Sequence, residues 1–299
     1  MLRISDPTRR QIDPHLESKA SALDLVYTVA IGRPAGRLFS IHPHGHLLMG
    51  KSDSKPASGP FRADQLHDGD RYELSNGHPI YCAPAGPEHG SRSLTGAAVI
   101  ASDPDVEWAG VDVGFSVTPE TLRAPDVAVA APTAARGWRE GAPPLAVEYA
   151  GVGQDEPDLR VKIGELLAGG SNSVWVVRLI GPRRVEVHRP GQPMQVYGSG
   201  DDLEAPGILR NPIPVDALFD QAAADRAVLR NLLQRAGYDG LDAVRAESIA
   251  ESILALLDDR GLEVSAEARQ RIAACRNPAQ LKTWLLAAAR ITDPARLLD

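Results

Sequence analysis

The sequence predicts a mixed α/β fold with a C-terminal helical extension, and two changes of pattern indicate this class. Between about residues 60 and 220, short runs rich in β-branched residues are separated by only a few helical segments. Beyond Val215 the strand pattern stops, and Ala, Leu and Arg recur with helical spacing. We therefore expect a partly ordered segment and linker over residues 1–58, an α/β domain over 59–220 and a helical region over 221–299.

Composition and charge limit the class of protein. The chain has 299 residues, of which 43% are hydrophobic, so it can bury a sizeable core. The formal net charge of −7 argues against a surface that is basic throughout. A polyanionic partner would therefore have to bind a local positive patch.

Cysteine content and hydropathy predict the compartment. The two cysteines, Cys82 and Cys275, fit neither a zinc-ligand spacing nor a disulfide scaffold, which favours a reducing environment. The sequence shows neither a secretory signal pattern nor an apolar run long enough to cross a bilayer. We expect a soluble cytoplasmic protein that does not bind membranes.

A β-hairpin is predicted to open the α/β domain. Residues 72–74 and 79–81 are strand-like runs that flank Asn76 and Gly77, and Asn-Gly between such runs is a strong hairpin signal. One helix and then three strands are expected after the hairpin. The helix covers Glu88 to Ala101, and the strands cover Trp108 to Val117, Asp126 to Ala130 and Leu145 to Tyr149.

A second helix is predicted after these strands. It begins at residues 155–157, where two acidic residues and a first-turn proline suit a helix start, and the glycine pair 169–170 ends it. Two further strands follow at residues 174–177 and 184–187, the first apolar throughout and the second alternating.

The helical region is electrically balanced, with eleven basic and eleven acidic residues from residue 221 onward. The net acidity therefore belongs to the first 220 residues. A helix is predicted where Asn277 provides a capping side chain and Pro278 a first-turn proline. Its apolar residues at three- and four-residue spacing are Leu281, Trp284, Leu285 and Ala288.

Two carboxylates and one lysine lie on neighbouring predicted elements. Asp126 opens a β-branched run, Glu148 lies inside the next strand, and Lys162 lies on the helix that follows. Because side chains alternate along a strand, Glu148 shares a face with Ala146 and points away from the face of Val147. Hard cations prefer carboxylate oxygens, and a nearby ammonium can orient water or stabilise negative charge. The three residues therefore predict a divalent-cation site.

Each of these residues also has a purely structural explanation. Glu148 could face solvent on an edge strand, and Asp126 after Pro125 fits a turn. Lys162 borders the apolar stripe of its helix, where a lysine can extend toward solvent and pair with Asp158 four residues earlier. The residue pattern leaves both interpretations open.

Other candidates are weaker. His42, His44 and His46 could hold a transition metal, although a flexible polar turn is the favoured interpretation. Cys82 is predicted to be a small core residue and not a nucleophile. The sequence contains no Walker-type phosphate loop, serine-hydrolase elbow or dinucleotide-binding glycine pattern.

Several short motifs occur in order between about residues 60 and 220. They are Tyr72–Gly77, Pro84–His89, Arg123–Val129, Leu145–Glu148, Asp158–Lys162, Val174–Val177 and Ile213–Phe219. This succession resembles the Uma family of restriction-endonuclease-like proteins, within the PD-(D/E)XK nuclease superfamily. The resemblance implies a mixed β-sheet core with flanking helices, hydrolysis of DNA with Mg²⁺ or Mn²⁺, and a homodimer for double-strand cleavage.

The resemblance also implies roles for particular residues. Asp126 and Glu148 correspond to the metal ligands. The usual lysine two residues after the glutamate is absent, since that position is Ala150, and Lys162 on the following helix is the candidate that replaces it.

Two accessory residues and three departures complete the resemblance. Glu73 and His89 correspond to accessory site residues. Gly151 replaces a common serine, Leu166 replaces an aromatic residue, and Arg178 replaces an acidic residue. We still expect metal binding despite these departures, but they argue against normal substrate positioning and turnover.

Two functional hypotheses follow. The first is a Mg²⁺-dependent endonuclease in which Lys162 orients or activates the attacking water. The second is a catalytically impaired nuclease fold that serves as a binding or assembly module, with the helical region as its partner surface. Hydrolysis of a small phosphoester by the same metal chemistry is a third possibility.

Overall fold

The computed structural model describes residues 59–153 and 155–298. Within these ranges the chain forms six α-helices, namely α1 (Pro87–Ser102), α2 (Glu156–Ala168), α3 (Gln221–Arg235), α4 (Leu241–Asp259), α5 (Ala266–Ala274) and α6 (Pro278–Ala288). The predicted N-terminal segment and linker over 1–58, with its three histidines, lies outside the described residues. No helix of the described part is long and apolar enough to cross a membrane.

The described ranges also contain thirteen short strands. They are β1 (Tyr72–Ser75), β2 (His78–Tyr81), β3 (Ala109–Gly110), β4 (Phe115–Thr118), β5 (Thr121–Arg123), β6 (Val127–Val129), β7 (Arg139–Glu140), β8 (Leu145–Ala150), β9 (Ser173–Arg178), β10 (Arg184–His188), β11 (Gln195–Gly198), β12 (Asp202–Leu203) and β13 (Ile213–Pro214). The predicted mixed α/β class with a C-terminal helical extension is confirmed.

The predicted hairpin is present as β1 and β2. Asn76 has φ 47° and Gly77 has φ 78°, and two central residues with positive φ suit the right-handed twist of a tight hairpin. The backbone N–H of Gly77 donates to the carbonyl of Glu120, and Phe61 donates to the carbonyl of Gly77. The turn is therefore enclosed by two other segments, which fixes the position of Glu73 on β1.

The strands form two large sheets and a small one. The five-stranded sheet has the order β2-β1-β5-β4-β7, and the six-stranded sheet has the order β11-β10-β9-β8-β6-β3. Strands β8 and β9 are parallel, with Glu148 opposite Val176, and α2 is the crossover that joins them. β8 therefore lies in the interior of the six-stranded sheet, between β9 and β6.

The two faces of β8 are buried against different elements. Val147 and Tyr149 belong to the main core, which α1 and α3 help to form. Ala146 and Ala150 pack against the apolar stripe of α2. Glu148 lies between these two alanines in the alternating pattern of β8. It is therefore on the same face of the strand as Ala146, as the sequence predicted.

One predicted strand is wrong. Residues 108–117 form two short strands in different sheets, because β3 pairs with β6 while β4 pairs with β5 and β7. The chain changes direction between them, where Asp112 has φ 52°. A Cβ on Gly114 would lie 2.4 Å from the ring of Trp138, so glycine is needed for this close approach. The strand β5 was not predicted.

The helical extension has a core of its own. Ile253 and Leu257 of α4, Ile272 of α5 and Leu281 of α6 are fully buried together. The predicted cap is present, because Asn277 accepts hydrogen bonds from the first backbone N–H groups of α6. Helix α3 packs against the core of the six-stranded sheet and not against this second core. The predicted domain boundary at residue 220 stays a prediction.

The hairpin turn provides a test of the fold. We expect Gly77→Ala to destabilise the protein by about 3 kcal/mol, because alanine disfavours positive φ and its Cβ would clash with Pro60. That Cβ would lie 2.4 Å from the Cβ of Pro60. The measurement is the urea midpoint at unchanged m-value.

Gly69→Ala is the matched control. Gly69 has φ 91° and no atom within 4 Å of an added Cβ, so it carries only the conformational cost, about 1 kcal/mol. An equal loss in both variants would contradict the steric part of the expectation.

Candidate active site

The structure brings the five predicted site residues together as two bonded groups whose charges interact. Lys162 Nζ lies 2.8 Å from Glu148 Oε1 and 2.9 Å from Glu73 Oε1. His89 Nε2 lies 3.0 Å from Asp126 Oδ1. These residues come from α2, β8, β1, α1 and the residue before β6, so tertiary packing assembles the site.

Asp126 is held by two groups. Its Oδ2 accepts a 2.6 Å hydrogen bond from the backbone N–H of Tyr149, and its Oδ1 contacts His89. The pairing of β6 with β8 brings Asp126 beside the residue that follows Glu148. The two predicted ligands therefore lie on adjacent strands. The bond to Asp126 raises the pKa of His89, although burial of the imidazole opposes this.

Lys162 is surrounded by acceptors. Its ammonium donates to Glu73 Oε1 and to the carbonyl of Ala124, both at 2.9 Å, and forms an ion pair with Glu148. Burial lowers the pKa of this lysine, but the charges of Glu148 and Glu73 outweigh burial and raise the pKa overall. Lys162 thus points into the protein, and the solvent-facing pair with Asp158 is wrong.

Glu148 is buried on an interior strand, so the alternative of a solvent-facing edge residue is wrong. It is 7% exposed, and its Oε1 lies 2.8 Å from Lys162 Nζ. Burial raises the pKa of Glu148 to about 8, and repulsion from Asp126 and Glu73 adds to this effect. Lys162 opposes the shift without cancelling it.

Buried Arg123 and its two glutamate partners extend the network toward the hairpin. Arg123 is 2% exposed and donates to Glu73 Oε2 at 2.9 Å and to Glu165 of α2. Ser75 donates to Glu165 Oε1 at 2.6 Å. Burial raises the pKa of Glu73, but Lys162 and Arg123 outweigh burial and lower it overall. The sequence analysis did not identify Arg123 or Glu165 as part of the site.

Asp112 is a further acidic residue that the sequence analysis missed. It lies in the exposed turn between β3 and β4. The pKa of Asp112 is raised, mainly because its carboxyl group is partly buried and also because Asp126 repels its negative charge. An aspartate at positive φ is uncommon, but this conformation is visible only in the structure.

The charges of the network fit a hard cation. Four carboxylates, those of Glu73, Asp126, Glu148 and Glu165, meet two permanent cations, Lys162 and Arg123. Lys162 does not fully offset the burial of Glu148, so an added cation would stabilise the charged form of this carboxyl group.

A divalent ion at the two predicted ligands would supply the missing positive charge. No cluster of three or more His, Cys, Asp or Glu side chains with metal-binding arrangement occurs in the described ranges. Mg²⁺ is commonly held by one or two carboxylates, with waters and substrate phosphates as the other ligands. The predicted pair, Asp126 and Glu148, matches this number of carboxylates.

The residues that depart from the family pattern have structural roles. Arg178 forms ion pairs with Glu156 and Glu186, and Leu166 is fully buried in the core of α2. Cys82 is exposed, so its predicted place in the core is wrong. Although the residue is exposed, neighbouring protein atoms partly desolvate its thiol, and this effect together with repulsion from Glu73 raises the pKa of Cys82 to about 11, which disfavours a nucleophilic role.

Residues 61–213 match the model of the Uma2 family, described as "Putative restriction endonuclease". The matched range is slightly more than half of the 299 residues. A solved structure of a putative nuclease belonging to DUF820, from Anabaena variabilis ATCC 29413, is 18% identical, with a TM-score of 0.47. The match covers 55% of this chain and 99% of that chain, and no curated protein matches.

The buried ion pair provides a test of the site. We expect Lys162→Met to destabilise the protein by about 3 to 5 kcal/mol, because it leaves Glu148 and Glu73 without their shared cation. Adding Glu148→Gln should recover at least about 1 kcal/mol, because one of the uncompensated charges is then removed. Urea unfolding of both single variants and the double variant measures this coupling.

Lys282→Met is the control, since Lys282 is an exposed lysine on α6. It should change stability by no more than about 0.5 kcal/mol. Additive effects of the Lys162 and Glu148 substitutions would contradict the proposed coupling.

Proposed function

The chain belongs to the Uma2 restriction endonuclease family, and we propose that it hydrolyses DNA phosphodiester bonds with Mg²⁺ or Mn²⁺. The observation that carries the proposal is the convergence of three groups: the buried Glu148, whose pKa is raised to about 8, Lys162 at 2.8 Å from it, and Asp126 directly before the adjacent strand. A buried ion pair adds little net stability, and a carboxyl group with a strongly raised pKa is a candidate functional group.

Asp126 and Glu148 would hold the cation. When bound, the cation neutralises phosphate charge and lowers the pKa of a bound water, which makes the water a nucleophile. Asp126 is suited to this task because the backbone N–H of Tyr149 fixes one of its oxygens. The position of Glu148 is fixed by its strand and by the ion pair with Lys162.

Lys162 acts as a fixed positive charge in this proposal. Its pKa is raised by the carboxylates around it, so it keeps its proton and cannot accept one from water. Its ammonium would stabilise the negative charge that develops on the phosphoryl oxygens, or orient the attacking water by donating to it. Removal of a proton from water by Lys162 is not part of the proposal.

Glu73 and His89 have accessory roles. Glu73 also binds Lys162 and is itself held by Arg123 and the N–H of Ala124. His89 contacts the Oδ1 of Asp126 and restricts its orientation. Both residues therefore position groups that would contact the metal or the phosphate.

DNA cleavage is the direct test of the proposed function. Purified protein is expected to nick supercoiled DNA in Mg²⁺ or Mn²⁺ and to be inactive in EDTA. Asp126→Ala should reduce the rate by about a hundredfold or more, because loss of even an outer-shell partner of a metal ligand is worth 10–100-fold.

Asp242→Ala is the control for this experiment, since Asp242 is an exposed acidic residue on α4. Its nicking rate should equal that of the unmodified protein. Cleavage by Asp126→Ala at the unmodified rate would rule out the proposed site.

Metal binding without DNA separates an active nuclease from a binding or assembly module. Isothermal titration with Mn²⁺ should show binding that Glu148→Gln weakens by at least about tenfold, since a neutral amide is a poorer ligand for a hard cation. The Gln substitution retains the size of the side chain.

Glu186→Gln is the control, because Glu186 is mostly buried and bound to Arg178 but is not at the proposed metal site. Absence of any Glu148-dependent Mn²⁺ signal would favour the assembly-module hypothesis. The homodimer and the cytoplasmic location stay predictions.

A further inference from the structure

A polar pocket lies near the candidate active site. It has a volume of about 190 Å³ and is formed by the first turns of α1, the β9–β10 turn and Phe219. Its polar side chains are Arg92, Arg178, Arg183 and Glu88. One water occupies about 30 Å³ in the liquid, so the pocket has room for a phosphate group and several waters.

Arg92 has a positive charge that the described residues do not neutralise. Its guanidinium donates to the backbone carbonyl of Phe219, and no carboxylate of the described ranges lies within ion-pair distance of it. The side chain is half-buried, so its orientation is restricted. A partly desolvated guanidinium without a counter-ion is a favourable binding group for an anion.

The two other arginines differ in availability. Arg178 is committed to Glu156 and Glu186 and forms part of the wall. Arg183 pairs with Asp216 at 2.9 Å, but its side chain is 46% exposed, and an exposed ion pair is weak and exchangeable. Arg92 and Arg183 are thus the cations that can bind a ligand in the pocket.

The pocket lies close to the proposed metal ligands. Arg178 is opposite Ala150 in the parallel pairing of β8 and β9, two residues beyond Glu148. At about 3.3 Å per residue and 4.8 Å between strands, the backbones of Arg178 and Glu148 are about 8 Å apart. Arg92 is one turn of α1 after His89, which contacts Asp126.

Successive phosphates of one DNA strand are separated by about 3.4 Å along the helix axis. A separation of about 8 Å places the Arg178 wall of the pocket within a few nucleotides of a phosphate at the proposed metal site. This separation suits a contact that positions the strand without touching the reacting atoms.

We propose that the pocket between α1 and the β9–β10 turn binds a non-scissile backbone phosphate of the DNA strand that is cut, with Arg92 as its main cation and Arg183 as the second. The inference rests on the proposed function, since it requires a DNA substrate. Arg92 and Arg183 are positioning residues, because they bind the substrate away from the reacting atoms. The acidic Glu88 at the pocket opposes this binding.

Binding of labelled duplexes in EDTA, followed by fluorescence anisotropy, tests the pocket without requiring cleavage. Arg92→Gln should weaken binding about tenfold, equally for two duplexes of unrelated sequence, and should reduce the slope of log K against log salt concentration by about 0.9. Arg92→Lys should retain the slope of the unmodified protein, because it keeps the charge.

Glu88→Gln is expected to change DNA-binding affinity in the opposite direction. It removes a negative charge from the same pocket, so it should strengthen binding by a factor of about two to five at low salt. Arg226→Gln on α3 is the control, since Arg226 is exposed and does not line the pocket. It should leave both affinity and salt slope unchanged.

Steady-state cleavage distinguishes positioning from chemistry. Arg92→Gln should raise KM about tenfold with kcat within about twofold of the unmodified value, because uniform binding energy is lost. If thermal melting shows that Arg92→Gln does not fold, Arg183→Gln takes its place, with the same expected direction.

The outcomes separate this inference from the proposed function. DNA binding by the unmodified protein with unchanged affinity and salt slope in Arg92→Gln and Arg183→Gln would overturn the phosphate pocket alone. Absence of any DNA binding or cleavage by the unmodified protein would overturn the DNA substrate, and the pocket proposal with it.

Discussion

One buried ammonium is the constraint on which the site depends. Lys162 extends from α2 into the protein and meets Glu148 of β8 and Glu73 of β1 at 2.8 and 2.9 Å. Taking a charge out of water costs several kcal/mol, so each of these groups is tolerable only while the others are present. The ammonium therefore ties the five-stranded sheet to the six-stranded sheet through their carboxylates.

In the same network, two basic side chains are each shared by two carboxyl groups. Lys162 is shared between two carboxylates, and Arg123 is shared between Glu73 and Glu165. Lys162 does not fully offset the burial of Glu148, and the pKa of this carboxyl group is raised to about 8. A site of this kind favours an additional cation, and the proposed phosphate pocket places positive charge where the rest of a polyanion would lie.

Local sequence signals predicted the elements well wherever a single feature specifies the conformation. Asn76 and Gly77 adopt the positive φ values that a tight hairpin needs, and Asn277 caps its helix as expected. The prediction over residues 108–117 was wrong because apolar residues occur along the whole segment, on both sides of the turn at Asp112, while its change of sheet depends on close contacts such as that of Gly114 with Trp138.

The sequence by itself determined the mixed α/β class, the helical extension and the face of β8 on which Glu148 lies, because periodicity and capping are local properties. It also pointed to Asp126 and Lys162 as candidates. Only the tertiary structure decided that Lys162 is buried with its proton retained, since a pKa depends on every charge nearby and on the loss of water. The position of Arg123 beside Glu73 and that of Arg92 in the proposed phosphate pocket were also visible only in the tertiary structure. In both cases the surrounding residues come from segments distant in the chain.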